Sequence, residues 1–229
     1  MTLAPGVGAM NEAQLREELC RVGRSLHVRG YVHGTTGNLS ARLVDGFLIT
    51  ATDACLGDLL PESLVKVDAA GVAPAAARPS KTLALHLRIY AAEADAHCIL
   101  HSHSTHLVQV SLGVPDGEAR DDLLPPITPY FVMKVGHVPL LAYRRPGDPA
   151  VADAVAAAIG QARARGTPIR AVMLSRLGPN VWHATPAAAM AVLEELEETA
   201  RLWLASQPRP TPLSSAQLDE LRRHFGARW

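Results

Sequence analysis

An Asp-Gly pair between two strand-like runs is the feature that most constrains how this chain can fold. Residues 39–43 and 46–50 have the apolar character of strands, and Asp45-Gly46 between them is a strong signal for a hairpin turn. Helical patterns stand on both sides of this hairpin, the first of them opened by a capping-box pair, Asn11 and Gln14. Hairpins mixed with helices favour an α+β fold over a doubly wound parallel sheet.

Composition narrows the class of protein. The 229 residues suit one domain, which we expect to span 1–229 with a helical tail from about residue 208. The formal net charge is zero, which argues against a nucleic-acid-binding surface. We find neither a membrane-length apolar run nor a signal-peptide layout, and the three cysteines are scattered. These features predict a cytoplasmic protein with reduced thiols, without a membrane or nucleic-acid partner.

A pair of histidines follows a short buried run, Cys98-Ile99-Leu100. If the strand continues through the pair, alternation sends the side chains of His101 and His103 to the same face. Imidazole is the commonest metal ligand near neutral pH, and two convergent imidazoles make half of a zinc-type site. A polar strand end without metal is the alternative on spacing alone.

Three other segments carry groups that suit an anion. They are Gly37-Asn38, the Thr50-Ala51-Thr52-Asp53 segment after a strand, and Pro79-Ser80-Lys81 at the start of a helix. Backbone N–H groups at a helix N-terminus, hydroxyls and an ammonium group can together hold a phosphate or carboxylate. Taken singly, each segment is an ordinary turn or cap, so their order ahead of the histidine pair carries the argument.

This ordered set resembles the class II aldolase/adducin family, and the resemblance runs from the first helix to Trp203. The matching elements are Gly37-Asn38-Leu39-Ser40, Ile49-Thr50-Ala51-Thr52, Pro79-Ser80 ahead of a helix with His86, and His101-Ser102-His103 with His106. Further stretches are similar to the branch that decarboxylates 3-oxo-tetronate 4-phosphates, among them Thr52-Asp53-Ala54-Cys55-Leu56-Gly57, Ile127-Thr128-Pro129-Tyr130 and Arg145-Pro146-Gly147-Asp148.

The resemblance implies a fold, a cofactor and a substrate class. The fold is a layered α/β/α arrangement around a mainly antiparallel sheet, assembled as a homo-oligomer and often as a tetramer. The cofactor is a divalent metal, usually Zn²⁺, with His101 and His103 at two of its ligand positions. The substrate is a phosphorylated small sugar acid, and the residues at the family's phosphate-pocket positions are Gly37, Asn38, Thr52, Asp53, Ser80 and Lys81.

Two positions depart from the family pattern. Thr82 stands where the family usually has a glutamate that serves as base or ligand, and Leu177 stands where it has a third metal-binding histidine. Because a catalytic zinc normally takes three protein ligands, the third must come from elsewhere. The candidates for it are Asp53, His86, His106 and His183.

The missing glutamate favours decarboxylation over aldol cleavage. An aldolase needs a positioned base to take a proton from carbon, whereas a β-keto acid loses carbon dioxide without one. The developing enediolate needs an electrophile, for which a metal, Lys81 or Arg176 is available, and a proton donor, for which Lys81 or Tyr130 is available. We therefore predict a decarboxylase that forms dihydroxyacetone phosphate and carbon dioxide, with Lys81, Thr82 and Tyr130 in catalytic positions.

Two alternatives stay open. One is an aldolase acting on a ketose phosphate such as L-fuculose 1-phosphate, and the other is a non-catalytic, adducin-like assembly module. A purely structural descendant has no reason to keep Asn38, Ser80, Lys81 and both histidines together, which favours an enzyme. The acidic cluster at positions 194–198 reads as a solvated helix face without a catalytic role.

Overall fold

The structure is a computed structural model that describes residues 10–229. Short turns of 3-10 helix lie at Leu56–Asp58 and Pro61–Ser63, and a π-helical turn lies at Phe131–Val135. In chain order the other elements are α1 (Glu12–Val28), β1 (Asn38–Arg42), β2 (Gly46–Ile49), β3 (Val65–Asp68), α2 (Leu83–Ala92), β4 (Cys98–His101), α3 (Thr105–Leu112), β5 (Leu140–Leu141), α4 (Ala150–Ala164), β6 (Ala171–Leu174), β7 (Gly178–His183), α5 (Pro186–Ala205) and α6 (Ser215–Phe225).

The strands form one mixed sheet in the order β3-β2-β1-β4-β7-β6-β5. β5 runs parallel to β6, and the other neighbouring pairs are antiparallel. The Asp45-Gly46 signal is correct, since β1 and β2 pair as a hairpin with Arg42 opposite Phe47. The mainly antiparallel sheet predicted from the sequence is confirmed.

Helices cover both faces of the sheet. On one face, Leu39, Leu100 and Val181 pack against α1, α3 and α5. On the other face, Ile99 and Trp182 pack against α2 and α4. Successive residues of β4 therefore alternate between two apolar cores, as the pleat of a strand requires. The layered α/β/α architecture is confirmed.

Helix α1 forms for the reasons visible in the sequence. Asn11 accepts a hydrogen bond from the backbone N–H of Gln14, and the Gln14 side chain accepts one from the Asn11 N–H, both at 3.0 Å. These bonds satisfy donors that the first turn of a helix leaves open. The apolar residues at helical spacing, Leu15, Leu19, Val22 and Leu26, are all buried.

Glu197 on α5 is a correction to the solvated acidic face that we expected. Its carboxylate is buried and lies against the start of α3. It accepts the backbone N–H of His106 at 3.0 Å and that of Leu107 at 3.1 Å, and its Oε1 is 2.8 Å from His106 Nδ1. A carboxylate at a helix N-terminus is stabilising. The spacing of acids along α5 could not show this, because the partner groups belong to another helix.

The end of the chain packs on the π-helical turn. The Trp229 ring stacks on His137 with 4.3 Å between ring centroids and meets Phe131 edge-on at 5.5 Å. The extent of the domain and of its tail remains a prediction. Within residues 10–229, no helix combines the length and the apolar character needed to cross a membrane.

The close approach of Gly178, the first residue of β7, to the backbone of Ser102 gives a testable prediction. The φ of Gly178 is +141°, and a Cβ placed there would lie 1.9 Å from the backbone oxygen of Ser102. We expect Gly178→Ala to lower the free energy of unfolding by more than about 2 kcal/mol, because the added Cβ would force the backbone at Gly178 or at Ser102 to move. Gly160→Ala is the matched control: no atom approaches that Cβ within 4 Å, and alanine should stabilise α4 by up to about 1 kcal/mol. Urea unfolding of both variants checks this, and equal stabilities would contradict it.

Candidate functional site

The two histidines meet, although not by strand alternation. β4 ends at His101, so His103 lies in the loop that follows, and the prediction of a strand through both residues is wrong. The backbone N–H of His103 instead donates to the carbonyl oxygen of Tyr31 at 3.0 Å. The imidazole rings of His101 and His103 nevertheless stand edge to face with 5.1 Å between centroids.

His101 is held in one orientation. Its Nδ1 donates to the carbonyl oxygen of Pro179 at 3.0 Å, and this leaves the Nε2 lone pair available as a ligand. Burial, together with the neighbouring His103, lowers the pKa of His101 to about 4. The ring is therefore neutral at pH 7, the form in which imidazole binds metals.

Cross-strand register sets the residues around His101. Asn38 on β1 and Asn180 on β7 are both opposite His101, so the three side chains form one row on the face covered by α2 and α4. Asn180 is fully buried, and within residues 10–229 neither polar atom of its amide has a hydrogen-bond partner. An unpaired buried amide is costly, so this row has unmet capacity to bind a polar group.

The three anion-type segments converge beside this row. Thr82 Oγ1 donates to Asn38 Oδ1 at 2.9 Å, and its oxygen is 3.0 Å from the hydroxyl of Ser80. Thr52 Oγ1 donates to the carbonyl oxygen of Pro79 at 2.8 Å. Gly37 comes so close to β4 that a Cβ there would lie 2.8 Å from the backbone oxygen of His101. Segments far apart in sequence are thus joined at one end of the sheet.

The remaining predicted residues lie at different distances from this convergence. Lys81 follows Ser80 and is exposed, and Asp53 is exposed with a positive φ of 61°. Arg176 is in the turn before β7, and its guanidinium is 3.7 Å from the carboxylate of Asp116. Tyr130 is 60% exposed at the start of the π-helical turn, which packs against α5 on the face away from His101. Within residues 10–229, the Tyr130 side chain makes no hydrogen bond to either histidine.

Two of the candidates for a third metal ligand, His106 and His183, lie away from the pair. His106 is bonded to Glu197, and His183 is opposite Cys98, at the other end of β4 from His101. His86 is fully buried, with Nδ1 2.7 Å from the Ser40 hydroxyl, and its Nε2 has no partner within the described part of the chain. Among residues 10–229, no group of three or more His, Cys, Asp or Glu side chains is arranged to hold a metal.

The spacing of the histidine pair itself suits a metal. Two imidazoles on one tetrahedral zinc have ring centres about 5 Å apart, given Zn–N bonds of about 2.0–2.1 Å. The observed 5.1 Å between His101 and His103 matches this value. The pair therefore fits as two ligands, while Thr82 and Leu177 supply no third: the Thr82 hydroxyl is bonded to Asn38, and the Leu177 side chain is apolar.

Sequence reasoning missed one imidazole at this site. His33, in the loop between α1 and β1, has its ring centre 6.3 Å from that of His103. It is 68 positions upstream of the first histidine of the pair, outside any metal-type spacing. Its position shortly before the Gly37-Asn38 segment is the sequence feature that could have identified it.

Comparison with known proteins supplies the family. The model of the class II aldolase and adducin N-terminal domain matches residues 17–204. The chain belongs to the class II aldolase/adducin family. A family relative from Cupriavidus necator, named 3-oxo-tetronate 4-phosphate decarboxylase, is 51% identical over 95% of this chain and 99% of its own length.

Solved structures agree with this class II aldolase assignment. The crystal structure of YgbL from Klebsiella pneumoniae superposes with a TM-score of 0.83, at 37% identity, over 93% of this chain and all of that one. An L-fuculose 1-phosphate aldolase superposes with a TM-score of 0.80 over 96% of this chain and 99% of that one. At 21% identity the second match shows the shared fold alone.

The buried histidines predict a pH-dependent stability. Burial lowers the pKa of His86 to about 3, so folded His86 stays neutral where an unfolded histidine, with its ordinary value of 6.5, takes up a proton. The unfolded state then binds more protons, and the free energy of unfolding falls as pH drops from about 6.5 to about 3, by up to about 1.4 kcal/mol per pH unit for this residue.

His86→Asn, which keeps a polar atom near Ser40, should flatten this slope by about one proton. Urea unfolding between about pH 7 and pH 4.5, in the presence of a chelator, measures it. His97→Asn, which removes an exposed imidazole instead of a buried one, is the control. A slope identical in both variants would contradict the prediction.

Proposed function

We propose that this protein is a decarboxylase that converts a 3-oxo-tetronate 4-phosphate to dihydroxyacetone phosphate and carbon dioxide. The observation that carries this proposal is the 51% identity, over nearly the whole of both chains, to a relative of that name. The convergence of three anion-type segments on the histidine pair supports the proposal. It provides a place for a phosphate beside groups able to polarise a carbonyl.

The reaction needs an electron sink and a proton donor. In the substrate the carboxylate is β to the C3 carbonyl. The C1–C2 bond breaks, its electron pair forms the C2–C3 double bond, and negative charge moves to the C3 oxygen as carbon dioxide leaves. Protonation of C2 then gives dihydroxyacetone phosphate. No step removes a proton from carbon, so the hydroxyl of Thr82 in place of a carboxylate suits this reaction.

We assign the phosphate to the surface formed by Gly37, Asn38, Thr52, Asp53, Ser80 and Lys81, with Arg176 as a further group for the substrate. Ser80 and Thr82 stand at the start of α2, where backbone N–H groups and the positive end of the helix dipole favour an anion. The exposed ammonium of Lys81 can pair with the phosphate and can also donate the proton to C2.

A divalent metal is part of the proposal. Class II aldolase family members generally use one, and we assign Zn²⁺ to His101 and His103 on the strength of their ring spacing. When bound, such an ion stabilises negative charge on a carbonyl oxygen as a Lewis acid. The chain's own part is to keep His101 neutral through burial and to fix its Nε2 through the bond to Pro179.

Two further predictions concern the oligomeric state and the location of the protein in the cell. A homo-oligomer, with a tetramer favoured, follows from the family resemblance, and a cytoplasmic location follows from the composition and the scattered cysteines. Tyr130 is exposed, and the π-helical turn that follows it packs on α5, so we propose that its catalytic role is at the site of a neighbouring chain. The non-catalytic alternative has no support in the arrangement of the polar segments.

Lys81→Ala tests the anion site. We expect kcat/KM for decarboxylation to fall about 10- to 100-fold, since a charge-assisted hydrogen bond is worth roughly 1.5–3 kcal/mol. Thr82→Ala should be mild, because a reaction without proton abstraction needs no base there. Carbon dioxide release measures both variants. Lys134→Ala, at an exposed lysine of the π-helical turn, is the control for loss of a surface charge.

The same assay separates the decarboxylase from an aldolase. Wild-type protein should release carbon dioxide from the keto acid phosphate and cleave L-fuculose 1-phosphate poorly. Efficient cleavage of the ketose phosphate without carbon dioxide release would overturn the decarboxylase and leave the aldolase.

His103→Ala tests the metal. Removing one of few ligands should strip most of the ion, because ligands set affinity and geometry together. Elemental analysis of purified wild-type and variant protein measures the stoichiometry. Full metal content together with full activity in His103→Ala would show that the assignment is wrong.

A further inference from the structure

We propose that Thr82 is a positioning residue of the phosphate site, whose hydroxyl orients the Asn38 amide so that its NH2 group faces the ligand. The inference rests on the proposed function and deepens it, because it names a group that donates to the substrate phosphate. The observation behind it is a chain of side-chain hydrogen bonds. Thr82 Oγ1 donates to Asn38 Oδ1 at 2.9 Å, and the same Thr82 oxygen is 3.0 Å from the hydroxyl of Ser80.

The direction of this chain follows from the number of protons in it. A hydroxyl group carries one proton and two lone pairs. Thr82 uses its proton in the bond to Asn38, so it accepts at its other contact, and Ser80 is the donor there. The chain therefore ends on the oxygen of the Asn38 amide. An amide that is held by its oxygen presents its nitrogen, with two N–H donors, to other partners.

The nitrogen of this amide is accessible to a ligand. Asn38 is 6% exposed, and within residues 10–229 its Nδ2 has no hydrogen-bond partner. Among these residues, the buried polar side-chain atoms that lack a partner belong to His86 and Asn180 alone. The unpaired Nδ2 of Asn38 therefore lies at the surface of the site, where an oxygen of a phosphate group can accept from it.

The hydroxyl groups of the same surface have already given their protons to the protein. Ser80 donates into the chain described above, and Thr52 Oγ1 donates to the carbonyl oxygen of Pro79 at 2.8 Å. The side-chain donors that remain on the proposed phosphate surface are the Asn38 amide and the exposed ammonium group of Lys81. Recognition of the phosphate thus depends on one neutral donor and one charged donor, and the neutral one needs a fixed orientation.

The position of Thr82 in its helix supports a role toward Asn38. Thr82 is the N-cap residue of α2, where a threonine hydroxyl ordinarily accepts a backbone N–H of the first turn. The Thr82 side chain makes no such capping bond, and its hydroxyl bonds to β1 instead. An ionised carboxylate at this position could only accept, so it would compete with the ligand for the NH2 group. The threonine hydroxyl leaves that group to the ligand.

The experiment titrates purified full-length protein with inorganic phosphate, followed by phosphorus NMR with a chelator present so that no metal contributes. Thr82→Val keeps the shape of the side chain and removes the hydroxyl. We expect it to raise the phosphate dissociation constant about three- to tenfold, the range for one net hydrogen bond. Thr82→Ser keeps the hydroxyl and should restore the wild-type value. Thr211→Val, at an exposed threonine ahead of α6, is the matched control.

Steady-state kinetics gives a second readout that a merely structural role of Thr82 would not move selectively. In carbon dioxide release, Thr82→Val should raise KM about three- to tenfold and leave kcat within about twofold, because the lost interaction binds substrate and transition state alike. Thermal unfolding of each variant checks that it is folded.

A double-mutant cycle tests whether Thr82 acts through Asn38. Asn38→Ala should weaken phosphate binding at least as much as Thr82→Val does. Adding Thr82→Val to Asn38→Ala should then change the dissociation constant by less than about twofold, since the amide that Thr82 orients is gone. If Asn38→Ala does not fold, the comparison of Thr82→Val with Thr82→Ser decides by itself.

Phosphate binding unchanged by Thr82→Val would overturn the inference, as would a Thr82→Ser variant that binds as weakly as Thr82→Val. Additive effects of Thr82→Val and Asn38→Ala would overturn it as well, and so would a wild type that does not bind phosphate. Carbon dioxide release by the wild type is a separate measurement. Its absence would refute the decarboxylase proposal, while the phosphate titration still decides the role of Thr82.

Discussion

The antiparallel register of β1, β4 and β7 is the constraint on which the candidate site depends. It places Asn38, His101 and Asn180 in a single row across three strands, facing α2. In an antiparallel ladder a slip of one residue sends every side chain to the opposite face. The apolar residues that alternate with this row, such as Leu39 and Leu100, are buried against α1 and α5 and hold the register. The same packing that stabilises the fold therefore aligns the polar row.

Beside this row, on the same face of the sheet, a second set of buried polar side chains bond to one another. The Ser40 hydroxyl lies between His86 Nδ1 at 2.7 Å and the Tyr90 hydroxyl at 2.8 Å, under the apolar cover of α2 and α4. The two groups left without partners in the described structure, the Asn180 amide and His86 Nε2, lie on the same face of the sheet as His101. A site that keeps unpaired capacity in its interior is prepared for a polar occupant.

Local signals in the sequence were enough for most of the architecture. The reciprocal pair Asn11 and Gln14, the period of the apolar residues in α1 and the Asp45-Gly46 turn each act over a few residues, so they can be read without knowing the fold. The helix α3 could not be read in this way. It is eight residues long, and its first turn is stabilised by Glu197, about 90 positions away in the sequence.

The contacts of the candidate site differ in the same way between residues close in sequence and residues far apart in sequence. His101 and His103 are two residues apart, and their proximity was predicted, although the strand that was to align them ends at His101. The contact of Thr82 with Asn38 spans 44 positions, and the position of His33 depends on the bond from His103 to Tyr31. Contacts of this kind exist only once the chain has folded. A family pattern can suggest them, but spacing along one sequence cannot.

The carboxylate of Glu197 has a consequence for the loop between β4 and α3. This loop, residues 102–104, begins where the sheet ladder ends at His101 and finishes where α3 starts under the Glu197 carboxylate. A three-residue segment anchored at both ends has few conformations to lose. Its ordering is completed during folding, so the loop that carries His103 is already fixed in the folded protein. An acid on the opposite layer of the protein thereby orders a loop at the candidate site.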